Sequence, residues 1–195
     1  MSENKVWLAL SVSGPGQHAG NGGYDDWVSR SYHWDSTVPH WAQIRPGDLI
    51  AIWNKFELVG ASLIDSINVD EGRTKEVFRC PHCEKSTIKR RLTMHPLFKC
   101  HACSREFDDP HVRQIQVDVL RSNHGSRWVA LEKTLVATEL RNTCQKPRSQ
   151  QSFRLLDFPR FEGAVKAKIN GVRPDFDDLC DRFKMGIRGR EDPGI

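Results

Sequence analysis

Two Cys-x-x-Cys pairs, Cys80-Pro81-His82-Cys83 and Cys100-His101-Ala102-Cys103, are separated by sixteen residues. Each pair forms a tight turn that aims two thiolates at one point. Two such turns at this separation close a tetrahedron around Zn²⁺. Four thiolates leave no coordination position for water, so the expected role is structural: Cys80, Cys83, Cys100 and Cys103 clamp a zinc ribbon. His82 and His101 lie inside the knuckles and could replace a ligand, although four cysteines already suffice. Four buried or redox-active thiols are the competing reading. Cys144 and Cys180 fall at core-facing helical positions and read as packing residues.

Between the pairs lie Lys89, Arg90 and Arg91. On a hairpin held by metal, these cations are candidates for phosphate contact, with a merely solvated face as the alternative. The charge distribution is uneven. Residues 1–78 carry six basic and ten acidic groups, residues 79–113 eight and four, and residues 114–195 fifteen and eleven, within a formal total of +4. A basic segment wrapped around a cysteine cluster favours a polyanionic partner.

Upstream, Tyr24, Trp27, Tyr32, Trp34, Trp41 and Trp53 crowd thirty residues, interleaved with His33, Asp35, Ser36, His40 and Asn54. Such a mixture could stack a planar ring and hydrogen-bond its edge, as binding an everted or unpaired base requires. The alternative is that these rings fill a core, the role assigned to Trp7 and Trp128. Trp34, next to the polar Asp35-Ser36-Thr37, and Trp53, at a strand end beside Asn54, are the pocket candidates, with Trp41 and Tyr24. The glycine-rich stretch 14–23 could cradle phosphate. Asp25 and Asp26 follow it and would oppose an anion, so a mobile loop lining a site is preferred.

The elements that must carry these groups are mostly strands. Val6–Leu10 is a compact apolar run. Leu49–Trp53 and Leu58–Ile64 read as a hairpin, with Gly60 marking a bulge or tight bend. Arg113–Leu120 alternates at period two, and Arg127–Leu131 is a further strand. Residues 134–145 look helical, with Val136, Leu140 and Cys144 on one face. Phe176, Leu179, Cys180 and Phe183 mark a C-terminal helix entered at Pro174 and ended by Gly186, followed by a polar linker. The fold class is α+β.

VWLALSVS, YHWDSTVPHWAQIRPGDLIAIWN and ELVGASLIDSI together resemble the EVE-type members of the PUA superfamily, small β-barrels that read modified bases in nucleic acid. FRCPHCEKSTIKRR, FKCHACSREFDDP, ATELRNTC and SQQSFRLLDF resemble more closely the amino-terminal module of bacterial modification-dependent HNH endonucleases. The resemblance covers roughly residues 5–160. It implies a PUA/EVE-like barrel from 1–75 and 111–170 with flanking helices, an inserted four-cysteine zinc ribbon at 76–110, and a helix and linker at 171–195. It also implies a partner, double-stranded DNA containing 5-methyl- or 5-hydroxymethylcytosine. By resemblance, Trp34, Asp35 and Ser36 fall on the pocket motif and Trp53-Asn54 on the opposing strand end.

No His-Asn-His set of a ββα-metal nuclease follows residue 111, and no paired carboxylates with a lysine appear. The chain is therefore expected to bind and not cut, with an HNH nuclease domain lying outside these 195 residues. Other readings are an RNA-binding PUA-like module, an intact metalloenzyme, which a closed four-cysteine site argues against, and a protein-interaction ribbon. No apolar run approaches a membrane span, no secretory signal is read at the N-terminus, and the cysteine usage fits the cytoplasm.

Overall fold

The structure, a computed structural model, describes residues 4–11, 24, 26–169 and 171–191, the last five by backbone alone. The glycine-rich stretch and the tail beyond 191 lie outside the described residues. The chain divides into two compact units. One comprises Met1–Ser11, Asp25–Val69 and Val119–Ile195, the other Val12–Tyr24 and Asp70–Asp118. Among the described residues the strands in chain order are β1 Val6–Leu10, β2 Ser31–Asp35, β3 Leu49–Trp53, β4 Leu58–Leu63, β5 Ser66–Arg79, β6 Ile88–Arg90, β7 Phe98–Cys100, β8 Glu106–Phe107, β9 His111–Asn123, β10 Val129–Ala130 and β11 Phe153–Leu155. The helices are α1 Ala137–Asn142, α2 Phe158–Lys168 and α3 Pro174–Glu191.

The architecture is mixed α+β. Among the described residues the strands pair into three open sheets, ordered β10-β4-β3-β1-β11, β2-β9-β5 and β6-β7-β8, rather than closing into one barrel. The short edge strands account for the opening. β10 offers two residues and β11 three, too few to carry pairing onward around a cylinder.

β1 and β3 run parallel at the centre of the five-stranded sheet, which explains their continuous apolar sequences. Val6, Leu8, Leu49, Ala51 and Trp53 face one side, where Phe161, Val165, Phe176, Leu179 and Phe183 from α2 and α3 cover them. Trp7, Ala9, Ile50 and Ile52 face the other side and pack with Tyr32, Trp34 and Phe153. Both faces are therefore buried, and the period-two pattern sorts the aromatic residues between two cores.

The β3–β4 hairpin forms as expected, with a register shift between Ile52 and Trp53 opposite Leu58 and Gly60. Gly60 has a second reason to be glycine: a Cβ there would lie 2.2 Å from Trp128 Cζ2 and 2.6 Å from the Val129 carbonyl oxygen. The Asn54 side chain closes the turn by accepting from the Phe56 and Glu57 amides, each at 3.0 Å.

Several expected boundaries move. The helix expected over 134–145 shrinks to α1; Leu140 and Cys144 are buried, but Val136 is exposed. The strand expected over 127–131 is only β10. Gly186 does not end α3, which runs on to Glu191. A lone glycine costs a helix only about 1 kcal/mol, and here its small size admits Asn4, whose Nδ2 would lie 3.0 Å from an added Cβ. No helix among the described residues is long and apolar enough to cross a membrane.

Candidate metal centre and basic cleft

In the second unit, the four expected cysteines converge. Their sulfurs all lie within 4.8 Å of one another, with Cys80 Sγ to Cys103 Sγ at 3.7 Å and Cys83 Sγ to Cys100 Sγ at 3.6 Å. Four thiolates about 2.3 Å from a tetrahedral zinc stand about 3.8 Å apart, so the donor set fits that ion. The two knuckles repeat one design. The Cys80 amide donates to the Lys85 carbonyl and the Cys100 amide to the Arg105 carbonyl. The His82 and Ala102 amides each donate to the first sulfur of their pair at 3.4 Å. Glu84 and Ser104, each just after the second cysteine, take positive φ of 59° and 61°.

Burial opposes ionisation of the Cys100 thiol. Hydrogen bonds from the Cys103 and Ala102 amides and from the Cys83 thiol outweigh it and bring Cys100 down to about 6. The Lys85 amide favours a Cys83 thiolate, but burial and the neighbouring sulfurs push that thiol up to about 12. Protonation of Cys83 and of Cys100 is therefore coupled. Zinc held here would supply folding energy rather than reactivity.

The three cations expected to contact phosphate differ. Lys89 and Arg90 on β6 are exposed and carry no ion pair among the described residues, so they remain available to phosphate. Arg91 does not. It is half-buried, its Nη1 bonds Glu106 Oε1 at 2.7 Å, and its Nε donates to the Pro96 carbonyl at 2.9 Å. Its guanidinium is paired with a carboxylate and closes a loop, a structural role that the sequence does not show.

Trp34 and Trp53 do not come together. Trp34 is 2% exposed, packs edge-on against Phe153 with centroids 5.5 Å apart, and donates its indole N–H to the Trp41 carbonyl at 3.2 Å. Trp53 is also 2% exposed but belongs to the opposite core. As two walls of one open base pocket, Trp34 and Trp53 are therefore a correction: the sheet puts them on opposite faces. Asp35 is buried, and its Oδ1 accepts from the Thr37 amide at 2.9 Å, so it shapes a turn. Asn54 is the hairpin cap described above. Ser36 and Trp41 are half-buried, Trp41 against the Trp34 core. Tyr24 is half-buried and belongs to the second unit.

The first unit instead presents a cleft of about 640 Å³ that the sequence reading missed. Its walls include His40 and Gln151, Lys146 and Arg148 of the α1–β11 connection, and Arg154 and Leu155 of β11; among the described residues no carboxylate lines it. One relay fixes its rim. Lys5 Nζ donates to Gln43 Oε1 at 2.9 Å, Gln43 Nε2 to His40 Nδ1 at 3.1 Å, and His40 Nε2 to Gln151 Oε1 at 3.2 Å. That order leaves the Gln151 amide nitrogen as a free donor.

Arg154 lines the cleft and is only 6% exposed. Its Nε donates to the Gln151 carbonyl at 3.2 Å, and its guanidinium lies 5.0 Å from the centre of the Trp53 ring. Arg141 approaches the same ring at 5.5 Å. Arg154 Nη1 and Trp53 Nε1 are buried without a hydrogen-bond partner. The sequence signal was faint: a cation inside the short apolar run Phe153-Arg154-Leu155-Leu156, after a basic loop.

No family model, curated protein or solved structure matches the chain, so the arrangement of these groups carries the functional argument.

Proposed function

We propose that this chain is an EVE-type module of the PUA superfamily that reads a modified cytosine, 5-methyl- or 5-hydroxymethylcytosine, everted from duplex DNA. It serves as the targeting part of a modification-dependent HNH endonuclease. The observation that carries the reading is the cleft of the first unit. Its volume of about 640 Å³ falls in the range of small-ligand sites. Among the described residues its lining is cationic and amidic, without a carboxylate, which suits a nucleotide. The base enters there rather than between Trp34 and Trp53. Planar stacking partners are the His40 ring and the Arg148 guanidinium, since bases stack on such planes as well as on indoles.

The energetics set the expected selectivity. Everting a base costs a few kcal/mol, and stacking returns about 1–3 kcal/mol. A methyl or hydroxymethyl group in a fitted site adds about 1–3 kcal/mol of discrimination. Lys89 and Arg90 on the ribbon supply sequence-independent attraction to the backbone.

The test is an equilibrium titration of duplexes that differ in one cytosine, plain, 5-methylated or 5-hydroxymethylated, with single-stranded RNA as competitor. A modified duplex binding about tenfold or more tightly than the plain one supports the reading. Equal binding to all three, or RNA displacing the duplex at equal concentration, defeats it.

A further inference from the structure

Arg154 presents a physical problem that the reading of a base pocket does not resolve. A guanidinium stays protonated at any ordinary pH, and taking it out of water costs several kcal/mol unless an opposite charge or a full set of acceptors compensates. Here Nη1 has no acceptor, Nε has one carbonyl, and no carboxylate among the described residues lines the cleft. The neighbouring ionisable groups do not supply a full counter-charge. Cys144 hydrogen-bonds the guanidinium and favours its charged form, but burial pushes that thiol up, and Arg141, which shares the Trp53 ring, repels Arg154. The face of Trp53 offers a cation–π contact, but that contact is worth about 2 kcal/mol at most in a desolvated setting. Lys146 and Arg148 add further positive charge to the lining of the cleft. The result is a preformed, unbalanced cationic wall.

We propose that Arg154, backed by Trp53 and joined by Lys146 and Arg148, is the receptor for a phosphate group, so that the cleft takes a nucleotide rather than a bare base. The guanidinium fork matches two phosphate oxygens, and the phosphate supplies the missing counter-charge. The free Gln151 amide is a further donor at the rim. The DNA form of this inference rests on the reading above, in which the phosphate is one flanking the everted cytosine. The anion site itself does not depend on that reading.

The experiment uses the whole chain and inorganic phosphate as probe, with nitrogen-detected NMR of the arginine side chains and thermal melting as readouts. In the wild type, phosphate shifts the Arg154 Nε resonance and raises Tm by several degrees. Arg154→Met without phosphate melts at or above the wild-type temperature, because it removes an uncompensated buried charge, and phosphate no longer raises its Tm. Arg154→Lys keeps the charge but loses the fork, and it retains only part of the phosphate shift. An unmoved Arg154 resonance in the wild type overturns the proposal, whether or not any variant folds. So does an equal Tm rise in wild type and Arg154→Met.

Two further arms, a 5-methyl-dCMP mononucleotide and the modified duplex, compete for the phosphate-induced shift. Displacement by the duplex assigns the site to a backbone phosphate. Displacement by the mononucleotide alone keeps the phosphate site and defeats the DNA reading, so the two failures are distinguishable.

Discussion

Replacing Cys103 with serine, or stripping metal with a strong chelator, is expected to unfold the ribbon and leave the first unit folded. The magnitudes decide this. The ribbon's own core consists of Cys80, Cys100, Ile88 and Phe107, with Phe78 and Phe98 packed against it. Ile88 and Phe107 are its only buried apolar side chains other than ligands among the described residues. At about 1.5–3 kcal/mol each, they contribute roughly a third of the about 10–16 kcal/mol that structural zinc brings to a small metal domain. The stacked Phe98–Phe107 pair, with centroids 5.9 Å apart, does not close that gap. The first unit has two separate apolar clusters containing no ribbon residue. The assay is hydrogen exchange by peptide. Amides across 86–107 should lose protection on chelation or in Cys103→Ser, while those across 49–63 keep it. Ribbon amides that stay protected after metal is shown to be gone would refute the argument that metal rather than packing folds this unit.

Gly60→Ala should lower stability by about 1–3 kcal/mol in urea denaturation, because part of the clash is with the Val129 backbone and no rotamer relieves it; an unchanged midpoint contradicts the packing. His124 is fully buried, with Nε2 donating to the Val28 carbonyl at 2.9 Å and Nδ1 3.0 Å from Ser122 Oγ. Burial lowers its pKa below the ordinary 6.5. The unfolded chain then binds the extra proton first, so the stability this group contributes is complete above 6.5 and is lost as pH falls through the lower folded value. His124→Gln should flatten the fall in stability below pH 6.5 measured in urea, and an unchanged slope refutes the assignment. Lys89→Ala and Arg90→Ala should each reduce the slope of log affinity for DNA against log salt by about 1, whereas unaltered slopes place the backbone contact elsewhere.

The convergence of the four cysteines was legible in the sequence, because Cys-x-x-Cys geometry is local: two thiolates per turn need no knowledge of the rest of the chain. The central strands were legible for a similar reason, since β1 and β3 are apolar on both faces. The site was not. Periodicity shows that Trp34 and Trp53 lie in strands, but only the sheet order shows that they lie on opposite faces. Asp35 and Asn54 look like pocket polar groups in sequence, yet each is used up by amides two or three residues away, a common fate of such side chains in turns. β2 and β5 were overlooked because β2 was read as a polar pocket segment and β5 is largely exposed. Arg154 is unusual only through what surrounds it, and its missing counter-charge is a property of three dimensions.

The most direct test places 2-aminopurine next to the modified cytosine in a duplex and follows its fluorescence as protein is added. Eversion unstacks the probe, so the wild type should raise the emission with the methylated or hydroxymethylated duplex, and excess inorganic phosphate should reverse it. Saturating binding with no change in emission would contradict the claim that this chain reads cytosine by drawing it out of the helix.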